Sequence, residues 1–151
     1  GIVHHYFEDK AELLESTLRT LGAGLRRSVV RRLNAARTPA QRLMAVIDGN
    51  IGADQFTPEG VSAWLAFWAQ VPTRPRLARV QNVIISRLND NLLHALRLLG
   101  RKDAEEIASV TEALIDGLWL RAALSADGPD PLRARRLVLD YLNTRLGLKL
   151  G

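Results

Sequence analysis

Residues 112–125, EALIDGLWLRAALS, are mostly apolar yet carry two carboxylates, a tryptophan and a glycine. At about 100° per residue, Glu112, Asp116, Trp119 and Ala123 line up along one side of a helix. Leu114, Gly117, Leu118, Arg121 and Ser125 fall roughly opposite. A helix with something to bury on two sides needs two partners. The side with Asp116 and Trp119 predicts a pocket wall. The side with the small Gly117 predicts another helix at close range.

Outward from that stretch, the rest of the chain reads as helix too. Thr38-Pro39, Thr57-Pro58 and Asp130-Pro131 each pair a capping residue with a proline at the first helical position. Gly52, Gly100 and Gly147 stand where helices end, and Pro72 and Pro75 close the one that begins at Pro58. Asp9, with Glu12 three residues on, reads as a further start, opening a helix that runs to about Ala36. Leucines recur at helical spacing from Arg76 to Leu99, and no segment alternates as a strand would. The expectation is an all-α chain of about six helices with the short loops of a bundle.

A chain of 151 residues, 47% hydrophobic and free of cysteine, can bury one core without disulfides, which fits a cytoplasmic setting. No apolar run approaches the roughly 20 residues that would span a bilayer. A net charge of +5 favours anionic partners only mildly. Six arginines and no acid lie between Thr17 and Arg37, interspersed with apolar residues as on any solvated amphipathic face.

Trp64, Phe67 and Trp68 sit at i, i+3 and i+4, so their rings share a helical face. With Trp119 they form either a packed aromatic core or the walls of a pocket. Asp116 and Glu112 on the face of Trp119 favour the pocket, because a buried carboxylate needs a partner. A desolvated cation among aromatic rings would serve, and an internal arginine would serve equally well. Asp48 and Asn50 are further polar candidates. Catalysis finds no support: His4 and His5 diverge on a helix, His94 is remote, and metal, nucleophile-elbow and phosphate-loop signatures are absent. No enzyme, metal or cofactor is expected. The last helix is apolar around much of its circumference, which predicts a homodimer joined through the final two helices. Its interface would comprise Leu114, Gly117, Leu118, Arg121, Val138, Tyr141 and Leu142.

Residues 1–15, GIVHHYFEDKAELLE, resemble the end of the helix-turn-helix and the start of the connecting helix in TetR-type repressors, with a Gly, two variable residues, a Tyr-Phe pair, a Lys and an acidic-leucine run. AWLAFWA at 63–69 and ALIDGLWLRAALS at 113–125 resemble the equivalent segments of the choline-responsive, BetI-like branch of that family. The resemblance implies a TetR-type C-terminal helical ligand-binding and dimerisation domain over 9–151, with 1–8 a remnant of the recognition helix. By position, His4, His5 and Tyr6 would contact the DNA groove and backbone, and Lys10 a phosphate. The first two helices of that DNA-binding head have no counterpart in these residues, so specific operator binding, a property of the full-length parent, is expected to be lost. The implied effector is choline, a quaternary ammonium alcohol, caged by Trp64, Phe67, Trp68 and Trp119 with Asp116, or Glu112 in its place, as counter-charge. The helix beginning near Asp9 would be the lever between pocket and head.

Overall fold

A computed structural model describes the backbone of residues 1–151 and every side chain except that of residue 7. Among the described residues the chain forms six α-helices: α1 (Ile2–Ala35), α2 (Pro39–Ile51), α3 (Pro58–Trp68), α4 (Pro75–Leu98), α5 (Ala104–Leu124) and α6 (Pro131–Leu146). A 3-10 turn at Val71–Thr73 lies between α3 and α4.

The starts follow the capping chemistry. The side chains of Thr38, Thr57 and Asp130 accept from the backbone N–H groups of Gln41, Gly60 and Arg133, each ahead of a proline whose missing N–H costs the first turn nothing. Gly100 and Gly147 take φ of +79° and +66°, the left-handed conformation that ends a helix cheaply only in glycine. Asp103 precedes α5 without capping it, since its carboxylate is held by Arg101 at 2.9 Å and Arg145 at 3.1 Å.

One expected boundary is absent. Asp9 does not cap a new helix, because α1 runs unbroken from Ile2 to Ala35. Nothing between residues 2 and 21 interrupts the backbone ladder: there is no proline and no glycine, and the acids at Glu8 and Asp9 are compatible with a helix interior. Gly22 and Gly24 do not break it either, their cost being offset by packing against neighbouring helices.

The core is continuous, with Leu18, Leu43, Ile47, Leu92, Leu96, Ile107, Val138 and Leu142 among its fully buried members. Helix α2 crosses α1 closely at Gly49, where an added Cβ would stand 2.7 Å from the Val29 Cα. Beside that crossing the Ser28 hydroxyl donates to Asp54 at 2.7 Å and Arg32 pairs with it at 2.9 Å. Burial works against the Asp54 carboxylate, yet those donors hold its pKa down at about 2. Arg135–Asp48 at 2.7 Å ties α6 to α2, and Arg76–Glu15 at 2.6 Å ties the start of α4 to α1.

The outer faces of α5 and α6 correct part of the expected dimer surface. Val138 and Leu142 are fully buried within their own chain and cannot reach a second copy. The near-complete apolar ring of α6 misled: one arc faces α5 and α2, and only the remainder is free. Leu114, Gly117, Leu118 and Tyr141 are half-buried and Arg121 is exposed. Leu124, Leu132 and Leu137 add exposed apolar area nearby on these two helices.

Candidate functional site

Helix α3 is short, and its apolar rings must turn toward α5, the helix it packs on. Trp64 and Phe67 are buried and Trp68 is half-buried. Opposite them, Trp119 of α5 is also buried, its ring edge-on to Trp64 at 6.3 Å between centroids and to Phe56 at 5.1 Å. Its indole N–H donates to the backbone carbonyl of Asn50 at 3.2 Å, which fixes the ring's orientation.

These rings wall a small, partly open cavity of about 50 Å³. Trp64, Trp68 and Trp119 line it together with Asp116 and Ile115 of α5, Gln81, Ile84, Ile85 and Leu88 of α4, Asn50 of α2 and Leu25 of α1. The space is less than two water molecules occupy in the liquid, taking about 30 Å³ each. Anything larger must push its walls apart or project from its opening. Trp68, Gln81 and Asp116 also line a second, open depression of about 380 Å³, bounded by Val71, Pro72, Gly117 and Leu120. These three residues therefore form the rim shared by the two hollows.

Asp116 is the electrostatic oddity of the site. Its side chain reaches the surface at this mouth, yet the protein crowding around the carboxyl, and then Glu112 one turn away, push its pKa up to about 6. Among the described residues it has neither a salt bridge nor a side-chain hydrogen-bond donor. An internal arginine, one of the two partners the sequence allowed, is not there.

The other candidates divide. Phe67 is in the core beneath the cage and does not line the cavity. Glu112 is turned away and accepts from the Asn89 side chain at 2.6 Å, which gives it a structural partner on α4. Asp48 is taken by Arg135. Asn50 is buried at the cavity wall, its amide donating to the Val46 carbonyl at 2.8 Å. His4, His5, Tyr6 and Lys10 lie exposed at the start of α1, with His4 3.0 Å from Glu8. Phe56 and Gln81 were not singled out from the sequence. Phe56 sits in a loop with no helical periodicity to flag it, and one glutamine on a long amphipathic helix looks like any surface residue.

Two further clefts run between α1 and α4. One, of about 300 Å³, shares Leu25, Asn50, Ile84 and Leu88 with the aromatic cavity. The other, of about 650 Å³, is rimmed by Arg19, Arg26, Arg27, Arg79 and Arg87 over a floor of Val80, Val83 and Ile84. Among the described residues no group of three or more His, Asp or Glu could hold a metal ion, and no helix is long and apolar enough to cross a membrane.

Residues 39–147, which contain every cavity wall except Leu25, match the family model for the C-terminal domain of BetI-type transcriptional repressors. The chain belongs to the BetI-type repressor family. It is 43% identical over 149 residues to the HTH-type transcriptional regulator BetI of Escherichia coli K12, covering 97% of this chain and 76% of that one. The BetI of Klebsiella pneumoniae is 42% identical over the same share of each chain. The fold is also that of two solved regulators. One, from Saccharomonospora viridis and in complex with choline, has a TM-score of 0.79 at 22% identity, covering 94% of this chain and 77% of that one. The other, from Rhodococcus, has a TM-score of 0.76 at 25% identity, covering 95% and 78%. The relatives are transcriptional regulators, and the span that matches the BetI-type model includes the tryptophan-rich segments of α3 and α5.

Proposed function

We propose that this domain is the choline-sensing and dimerising part of a cytoplasmic BetI-type repressor of glycine-betaine synthesis genes. The observation that carries the reading is Asp116, a crowded carboxylate without a protein counter-charge, standing at the edge of a cavity walled by Trp64, Trp68 and Trp119. A permanent cation completes that arrangement: the rings stabilise its desolvated face and the carboxylate supplies the charge. The choline bound by the Saccharomonospora regulator of the same fold supports the choice of ligand. Glycine betaine has the same head but ends in a carboxylate, which Asp116 would repel.

Choline does not fit about 50 Å³, so binding opens the cavity, with Trp68 the one half-buried ring among the three tryptophans of its wall. The ligand then favours the domain conformation in which the walls are apart, and only by its difference in affinity between the two. Helix α1 supplies Leu25 to the wall and carries His4, His5, Tyr6 and Lys10 at its other end, the end we assign to the operator. Two copies associate through the outer faces of α5 and α6, using Leu114, Gly117, Leu118, Arg121 and Tyr141 with the exposed Leu124, Leu132 and Leu137.

The test is a titration of choline chloride into the protein, following tryptophan fluorescence, with sodium chloride and glycine betaine as controls. All three tryptophans line the cavity, so a saturable, choline-selective change is expected. No change at millimolar choline would leave the family standing and remove the cage. The roomier cleft of about 300 Å³ against α1 favours a second reading, an uncharged hydrophobic effector held there. For the dimer, a solution mass of 16.7 kDa at micromolar protein would sink it.

A further inference from the structure

The Gln81 side-chain oxygen is buried without a hydrogen-bond partner. Buried polar groups are almost always satisfied, and an orphan beside a cavity marks a place where a ligand group or water completes the bonding. Gln81 lines both the aromatic cavity and the open depression, as do Trp68 and Asp116. A quaternary ammonium head has no N–H or O–H to offer such an atom. A ligand whose head occupies the cage and whose short tail points to the mouth passes Gln81 with that tail.

We propose that Gln81 reads the hydroxyl of the ligand and thereby selects quaternary ammonium alcohols over quaternary ammonium alkanes. The proposal rests on the cationic-cage reading above. The ligand hydroxyl donates to the Gln81 carbonyl oxygen, and because a hydroxyl also accepts, either orientation of the amide is served. Asp116 and Gln81 then divide the work. The carboxylate attracts the head regardless of the tail, and the amide senses only the tail. A carboxylate tail would face the Asp116 charge, so an acid is refused where an alcohol is welcomed. In a ligand without a hydroxyl the amide remains unpaired after the mouth closes, and that loss is what discriminates.

The experiment compares choline with ethyltrimethylammonium, which differs by the hydroxyl alone, by tryptophan-fluorescence titration of the wild type, Gln81→Leu and Asp116→Asn. The wild type is expected to prefer choline by about tenfold or more. Gln81→Leu should bind the two equally, at the level of the wild type with ethyltrimethylammonium, while Asp116→Asn weakens both by one common factor. Because Gln81→Leu removes an orphan acceptor, its thermal midpoint should be unchanged or raised, and Gln81→Met serves as a second variant of similar bulk. Equal binding of the two ligands by the wild type would overturn the proposal and leave the cage intact. Preference retained in both Gln81 variants, or lost in Asp116→Asn, would overturn it by moving the hydroxyl contact elsewhere. Binding of neither ligand by the wild type would overturn the cage and the proposal together.

Discussion

The two sides of α4 present opposite kinds of hollow. Toward α1 lies a broad cleft of about 650 Å³ ringed by five arginines; toward α3 and α5 lies a small one of about 50 Å³ with three tryptophans and a lone carboxylate. Size points to the first and chemistry to the second. Arginines with solvent around them are satisfied by water and counter-ions, so the large cleft needs no occupant. A crowded carboxylate beside quadrupolar rings is not satisfied by anything in its own chain.

That contrast can be broken most forcefully at Trp119, which holds Phe56, Trp64 and the Asn50 carbonyl together. Trp119→Ala is expected to cost about 3–5 kcal/mol in urea unfolding, as for other large core truncations. A loss below about 1 kcal/mol would mean the cage is not part of the packed core. Asp116→Asn separates affinity from stability. Choline should bind about tenfold or more weakly, roughly 1.4 kcal/mol, while the thermal midpoint at pH 7 rises. The stability sign follows from a raised carboxyl: the proton leaves at about 6 in the fold against 3.8 unperturbed, so the charge opposes folding as pH rises through that window. A fall in the midpoint would show Asp116 to be paired after all.

The pH dependence of binding is smaller and shares the same origin. Choline keeps its charge at every pH, so its affinity should decline several-fold from pH 7.5 to 5 as Asp116 takes up a proton near 6. The decline should vanish in Asp116→Asn; a slope that survives belongs to another group. Smallest of all, Arg26→Ala and Arg87→Ala across α4 should change choline affinity by less than about twofold, since solvent and salt screen exposed charges. A large gain in affinity there would place the cation's route through the arginine cleft.

How far the sequence could be read depended on periodicity. Thr38-Pro39, Thr57-Pro58 and Asp130-Pro131 marked three helix starts because caps act through neighbours a few residues away. Asp9 misled for the same reason: a local start signal loses to an uninterrupted run of helix formers on both sides. Trp64, Trp68, Trp119 and Asp116 were found from their spacing and meet at one cavity. Phe67 and Glu112 share those spacings but are turned elsewhere, Phe67 into the core and Glu112 onto Asn89. Spacing assigns a face, while the tilt of one helix on another decides which part of that face meets the hollow. Val138 and Leu142 exemplify the same limit, since an all-round apolar helix does not announce which arc its own chain will cover.

Ile84 lines the aromatic cavity and both clefts against α1, and it rests on Gly22, where an added Cβ would stand 2.9 Å from its Cδ1. On the far side of the side chain there is only helical backbone, with no rotamer to give way. Ile84 also borders the two open clefts, so its side chain is braced only where it meets Gly22. A glycine that looked like a weak point in the longest helix is the seat that lets Ile84 of α4 rest directly on α1.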